Sequence, residues 1–354
     1  MQERIRYARS ADGVRIAWTT CGTGPQTLVL GANQVTDIRR DWESPLVRPA
    51  LQRLAERFRV IRYDQRGCGS SQRNVDRHGQ DAWGEDLTAV IDTAGLDQPF
   101  VLLAYSAATP YAAVFAARHA ARLSHLVVHG AYSCGAVTSG IRSEIIRNQA
   151  MVDIVETGWD APFPASRMLV AHHVVLDLTA EEAAWCDKHS PLAGSAQDVA
   201  RLMTANMHCD ARPHMSQITT PTLVIQAEED TCIQPAWGRA YAAEIPNAQY
   251  VEIPGKNHMP LARDPGFEPF MSHLMDFVGA APARGADLGR LSSREREMLD
   301  GVCQGLSNEA IALRNDISVK TVRNHLTRVF DKLGVMSRTQ AALTAQGAHL
   351  AADP

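Results

Sequence analysis

Apolar residues along the first 280 positions fall in short, nearly continuous runs separated by stretches of helical spacing. The runs VRIAW (14–18), TLVLG (27–31), FRVIRYD (58–64), FVLLA (100–104), HLVVHG (125–130), TLVIQA (222–227) and QYVEI (249–253) are predicted as strands. Several lack polar alternation, the pattern of parallel strands covered on both faces. Helical periods intervene at 44–57, 80–95 and 108–122, so the chain is predicted to fold as an α/β sheet flanked by helices. From about 134 to 215 the alternation stops. The segments SGIRSEIIRNQAMVDIVETG, TAEEAAWCDKH and SAQDVARLMTANMH carry helical spacing only and predict an inserted helical cap. The stretch GAAPARGADLG (279–289) is small and aperiodic, which marks a linker. The expected organisation is a large domain over 1–280, a linker over 281–289 and a small all-helical domain over 290–354.

Composition narrows the class. The chain has 354 residues, 45% of them apolar, enough for a large core and a small one. It holds no apolar run long enough to span a bilayer, and its charged start MQERIRYARSADG has no signal-peptide h-region. Seven cysteines are scattered without metal spacing, so reduced thiols in a cytoplasmic protein are expected, with no metal and no cofactor. The adjacent His172-His173 has no third ligand nearby in sequence and reads as surface or cap. The net charge of −4 conceals an asymmetry. Residues 289–354 hold nine Lys/Arg against seven Asp/Glu, leaving 26 against 32 in the rest. A slightly basic module on an acidic body is compatible with nucleic-acid binding.

Three residues with complementary chemistry follow predicted strands in the order Ser106, Asp230, His258. A serine hydroxyl is a weak nucleophile until a histidine takes its proton, and the histidine needs a carboxylate to hold its tautomer. That chain order is the one α/β-hydrolases use. Residues 1–280 accordingly resemble a lid-bearing esterase or lactonase of the α/β-hydrolase family. RVIRYDQRGCGSS (59–71) resembles the family's D-x-R-G-x-G-x-S segment, and DWESP (41–45) and ARHAARLSHLVVHGA (117–131) are similar to its pattern. The resemblance implies Ser106 as nucleophile, His258 as base and Asp230 as the acid that orients it. It also implies an oxyanion hole built from the backbone N–H of Ala107 and one N–H near Asn33 or Gln34. Two departures stand out: the elbow reads Ala104-Tyr105-Ser106-Ala107-Ala108, with alanine at both glycine positions, and LGANQVT replaces the usual His-Gly of the oxyanion loop.

The end of the chain reads differently. LSSREREML, GLSNEAIA, ISVKTVRNHLTRVFDKLGV and SRTQA resemble the LuxR/NarL-type helix-turn-helix, a four-helix module. Ile311, Ile317, Val322, Leu326, Val329 and Leu333 recur at helical spacings and would bury one side, with Ser307 and Ser318 as N-caps. Residues 318–333 would form the recognition helix, with Lys320, Arg323, Arg328 and Lys332 against Asp331. The resemblance implies that Arg323, Asn324 and Thr327 face base edges, while Lys320, Thr321 and Arg328 contact or flank phosphates. Arg and Asn suit guanine and adenine edges respectively. Asn315-Asp316 departs from the family's apolar-Gly pair before that helix.

Together the halves read as an α/β-hydrolase sandwich with a helical cap, followed by a LuxR-type output domain. The expected protein is a ligand-responsive transcription regulator whose partners are double-stranded DNA with an inverted repeat, a small ester or lactone, and a second copy of itself. The alternative is an active serine esterase or lactonase with secondary, autoregulatory DNA binding.

Overall fold

The computed structural model describes residues 3–162, 165–280, 291–304, 306–315, 317–333 and 341. By compactness the chain divides into two units at Met271/Ser272. The expected linker over 281–289 lies outside the described residues.

In the large unit eight strands form one sheet in the order β1-β2-β4-β3-β5-β6-β7-β8. They are β1 (Arg6–Arg9), β2 (Arg15–Cys21), β3 (Gln26–Leu30), β4 (Phe58–Tyr63), β5 (Phe100–Tyr105), β6 (Leu123–His129), β7 (Thr222–Ala227) and β8 (Gln249–Ile253). β1, β2 and β4 pair antiparallel, and every pairing from β4 through β3 to β8 is parallel. The first five residues of β5 and the last five of β6 are buried, the state of strands covered on both faces. β1 was not anticipated. Its sequence RYAR buries only Ala8 and pairs only with β2, so an edge strand of this kind leaves no hydrophobic signature.

Helices α1 (Arg48–Arg57), α2 (Gln80–Thr93) and α3 (Thr109–Arg118) link the strands up to β6. α1 packs on β4, α2 on β1 and β2, and α3 on β5 and β6. The cap inserts between β6 and β7 as α4 (Ala136–Ser139), α5 (Arg142–Gly158), α6 (Ala165–Val174), α7 (Ala180–Ala193), α8 (Ala196–Met207) and α9 (Arg212–Met215). It has its own core, in which Val152, Val155 and Trp159 of α5 and its end meet Val199, Ala200 and Met207 of α8. α7 starts with a capping box in which Thr179 and Glu182 satisfy each other's backbone N–H groups. The departing and returning chains are joined at the base by the bridge Cys134↔Asp210 and by Ala211 N–H donating to the Ser133 carbonyl at 2.8 Å. α10 (Pro235–Ala243) packs on β7 and β8, and α11 (Phe267–Ala280) follows.

The small unit contains α12 (Ser293–Cys303), α13 (Asn308–Asn315) and α14 (Val319–Leu333). Met298, Leu299 and Val302 pack with Ile311, Val322, Leu326 and Val329 in one core. Ile317 is partly buried against it, and the side chain of Leu333 lies outside the description. Gly301 permits the close approach of α12 to α13, since a Cβ there would stand 2.8 Å from the Ile311 side chain. Ser292 caps α12 in a box with Glu295, Ser307 caps α13 through Ala310 N–H, and Ser318 caps α14 through Thr321 N–H. Asp316 and the residues after Leu333, which include the expected fourth helix apart from Ala341, lie outside the described residues.

Candidate functional site

The sheet delivers Ser106 at the end of β5, where a three-residue 3₁₀ turn (Ser106–Ala108) leads directly into α3. Ser106 adopts φ +48°, a left-handed conformation that costs an L-residue about 1–2 kcal/mol. Such strain persists only where the surroundings hold it. Here β5 is fixed on both sides by β3 and β6, and Thr109 closes the turn by donating its hydroxyl to the Ser106 carbonyl at 2.7 Å. The elbow turn therefore forms with alanine at both glycine positions. Ala104 and Ala108 are completely buried, and Ala107 is 5% exposed.

Asp230 follows β7 and folds back on its own loop. Its Oδ1 accepts the N–H groups of Cys232 (2.9 Å) and Ile233 (3.0 Å), and its Oδ2 accepts Gln226 Nε2 (3.1 Å) and His258 Nδ1 (2.7 Å). Burial pushes the carboxyl up, and the His258 bond and charge together with the Ile233 N–H outweigh it, so the group stays below its ordinary value. Asp230 is thus an ionised acceptor that fixes the proton of His258 on Nδ1. His258 Nε2 is left as a proton acceptor. It is buried and makes no hydrogen bond among the described residues, so the structure joins Asp230 to His258 without closing a bond to Ser106. Catalytic hydrogen bonds commonly tighten only around a bound substrate.

Three supports for His258 had no signal in the sequence. Gly130, just after β6 with φ +59°, passes directly beneath the ring, where a Cβ would lie 2.3 Å from His258 Cε1. His129 donates Nε2–H to the His258 carbonyl at 3.0 Å, and burial pushes its own pKa down to about 4, keeping a second positive charge away from His258. The cap supplies the third. His258 N–H donates to the Val174 carbonyl at the end of α6 (2.9 Å), and Leu176 N–H donates to Asn257 Oδ1 (2.9 Å).

Of the expected oxyanion donors, Ala107 stands in the 3₁₀ turn between Ser106 and α3. Gln34 lines the cavity that exposes Ser106, but its own N–H is held by Asn33 Oδ1 at 2.8 Å. Asn33 lines an adjoining cavity of about 260 Å³. The segment 59–71 braces this loop. Asp64 accepts Ile38 N–H (2.8 Å) and Ser70 N–H (2.7 Å), and Gln65 N–H reaches Thr36 Oγ1 (2.9 Å). Arg66, fully buried, pairs with Asp86 and Asp12. These residues are scaffold.

The cavity above Ser106 measures about 130 Å³ and lies between the sheet ends and the cap. Met151, Val152, Met203, Met207 and Trp237 give it an apolar wall, and Asn206, His173 and Arg147 bring polar groups to it. Of the His172-His173 pair, the first is exposed and the second lines the cavity, 3.4 Å from Cys232 Sγ. No cluster of three metal-ligating side chains occurs among the described residues. No described helix is long and apolar enough to cross a membrane.

In the small unit, α14 buries Val322, Leu326 and Val329 and exposes Lys320, Arg323, Asn324, Thr327 and Arg328. Lys320, Arg323 and Arg328 form no ion pair among the described residues, so their charge is available to a polyanion. Thr321 is half-buried and its hydroxyl meets Ser318 Oγ at 2.8 Å, which makes it part of the cap. Lys332 is drawn away from the basic face by Glu295, Nζ to Oε2 2.7 Å.

Comparison with known proteins places both halves. Residues 28–268 match the alpha/beta hydrolase family, and residues 290–345 match the bacterial regulatory proteins of the luxR family. A RutD protein of Serratia proteamaculans (strain 568) is 25% identical over 215 residues, covering 59% of this chain and 78% of the relative. The transcriptional regulatory protein LiaR of Bacillus subtilis is 42% identical over 60 residues, 17% of this chain and 28% of LiaR. Among solved structures, a hydrolase from Pseudomonas aeruginosa PA01 superposes with a TM-score of 0.64 at 20% identity, covering 78% of this chain and 98% of that one. That likeness is one of fold.

Proposed function

The chain belongs to the alpha/beta hydrolase family and carries a LuxR-type DNA-binding domain, and from this premise we propose that it is a transcription regulator whose hydrolase-fold domain senses a small ester or lactone. The observation that carries the reading is the cavity above Ser106, about 130 Å³, closed by a cap that is itself hydrogen-bonded to the backbone of His258. A ligand that fills it touches the cap and the base together. It can shift the DNA-competent population only by its differential affinity for the two states. Two recognition helices on an inverted repeat, one per half-site, form the output. Ser106, Asp230 and His258 are the proposed catalytic residues, with Ala107 N–H as one oxyanion donor and Asn33 favoured over the engaged Gln34 N–H for the second.

A second reading has its own support. The ionised Asp230, the Nδ1 tautomer of His258 and the strained Ser106 are what acyl transfer requires: Ser106 Oγ attacks the carbonyl, His258 Nε2 takes its proton, and the leaving alcohol receives that proton. A working esterase that also binds DNA would use the same site. The readings part on one experiment, the DNA affinity of the full-length protein with the cavity filled.

For the output face, Arg323→Ala and Asn324→Ala should each cost about 1–3 kcal/mol and relax the preference at one base position per half-site. Lys320→Ala and Arg328→Ala should weaken all sequences alike and flatten the salt dependence. Duplex selection followed by salt-titrated binding separates the two classes. An unchanged sequence preference in Arg323→Ala would show that the base-reading register is misplaced.

A further inference from the structure

The cavity that adjoins the one above Ser106 differs from it in chemistry. The Ser106 cavity has a mixed lining, in which Glu144, Arg147, Asn148 and His173 stand among methionines and valines. The second cavity, about 260 Å³, is largely apolar. Leu46 and Val47 line it from the loop after β3, and Trp159, Val175, Leu178 and Trp185 line it from the cap. Leu46, Val47, Leu178 and Trp185 are only partly buried, so closure of the cap leaves apolar surface uncovered here. The charged side chains of this lining are already paired. Arg40 meets Asp37 at 3.0 Å, Arg167 meets Asp187 at 2.5 Å, and Asp41 meets Arg62. His189 stacks on Trp185 with ring centroids 3.6 Å apart. An apolar chamber whose charges are engaged favours hydrocarbon.

Gln34, Val170 and Val174 line both cavities, which therefore adjoin along these three side chains. Met259, the chain neighbour of His258, lines the second. The side-chain amide of Gln34 makes no hydrogen bond among the described residues, so nothing pins it between the two spaces. A carbonyl held at Ser106 thus has a half-polar compartment on one side and an apolar one on the other.

Resting on the reading of the Ser106 cavity as a ligand site, we propose that the ligand is an amphipathic ester or lactone whose apolar chain reaches past Gln34 into the second cavity. Against the roughly 150 Å³ cavity that holds one benzene, 260 Å³ accommodates about ten carbon atoms. Ala171 of α6 and Trp185 and Cys186 of α7 bound the space the chain enters. Each methylene moved out of water into such a space raises affinity by up to about fourfold.

The test uses the full-length Ser106→Ala protein, which binds esters without consuming them. Calorimetry would compare methyl butyrate, hexanoate and octanoate. Octanoate is expected to bind at least about tenfold more tightly than butyrate. Ala171→Phe in the same background fills the second cavity and should bring that ratio to about one, with the affinity for butyrate unchanged. Cys186→Phe fills it from α7 and serves as the second variant should the first impair folding. Equal affinity for the three esters would overturn the proposal while leaving the Ser106 cavity as a ligand site. A chain-length preference that survives in the folded filling variants would overturn it too, since the chain would then lie elsewhere. Failure of all three esters to bind would sink the reading of the Ser106 cavity together with the inference built on it.

Discussion

Ser106→Ala is expected to lower the hydrolysis of short acyl esters by at least about 1,000-fold and to abolish labelling by a fluorophosphonate. Removing the nucleophile of a triad removes covalent catalysis as a whole, and what remains is the small acceleration supplied by oxyanion donors and binding. The geometry gives the wild-type serine its advantage. The turn at φ +48° projects it from the end of β5, and the Asp230 bond leaves His258 Nε2 as the acceptor for its proton. Equal rates in wild type and variant would remove the enzyme reading while leaving the sensor reading standing.

Gly130→Ala is expected to reduce the labelling rate of Ser106 by about 100-fold, the scale of loss that follows a 1 Å misplacement of a catalytic group. A methyl at Gly130 would lie 2.3 Å from Cε1 and 2.8 Å from Nδ1 of His258. The ring must move, and the bond to Asp230 moves with it. The φ of +59° adds backbone strain to the same substitution. Far-ultraviolet circular dichroism and a stopped labelling assay would separate lost reactivity from lost fold. A folded Gly130→Ala protein that labels at the wild-type rate would show that His258 is not the base.

Much of this architecture was legible because burial writes itself into the chain. FVLLA has no polar position, and TLVIQA only Thr222 and Gln226, because both faces of β5 and β7 are covered, and both runs are strands at the positions read. β1 was invisible for the opposite reason, as three of its four residues are exposed. The small unit was legible residue by residue, since Val322, Leu326 and Val329 mark its inner face by spacing alone. Pairing between elements was not. Lys332 counted as part of a basic face until Glu295, 37 positions away, drew it off. The site divides in the same way. Ser106, Asp230 and His258 stand out by type and position, whereas Gly130, His129 and Val174 matter only because folding brings them around one imidazole. Ala108 illustrates the limit most plainly. Its place two residues after Ser106 in the chain carries no sign of its depth. The structure buries Ala108 completely in the core of the sheet domain, where tryptophan would overpack, and Met203 is the better position for a filling substitution.

The central claim is that occupancy of the Ser106 cavity changes DNA binding by the same chain. Its most direct measurement is the affinity of the full-length protein for a duplex selected from a random pool, before and after complete labelling of Ser106 by diisopropyl fluorophosphate. Typical coupling between two sites changes affinity by about 5- to 150-fold, and the linkage is reciprocal for reversible ligands. The account predicts a change of that order in the labelled wild type and none in Ser106→Ala treated in parallel. Complete labelling with an unchanged DNA affinity would contradict it, and would leave a hydrolase joined to a DNA-binding domain that does not sense its site.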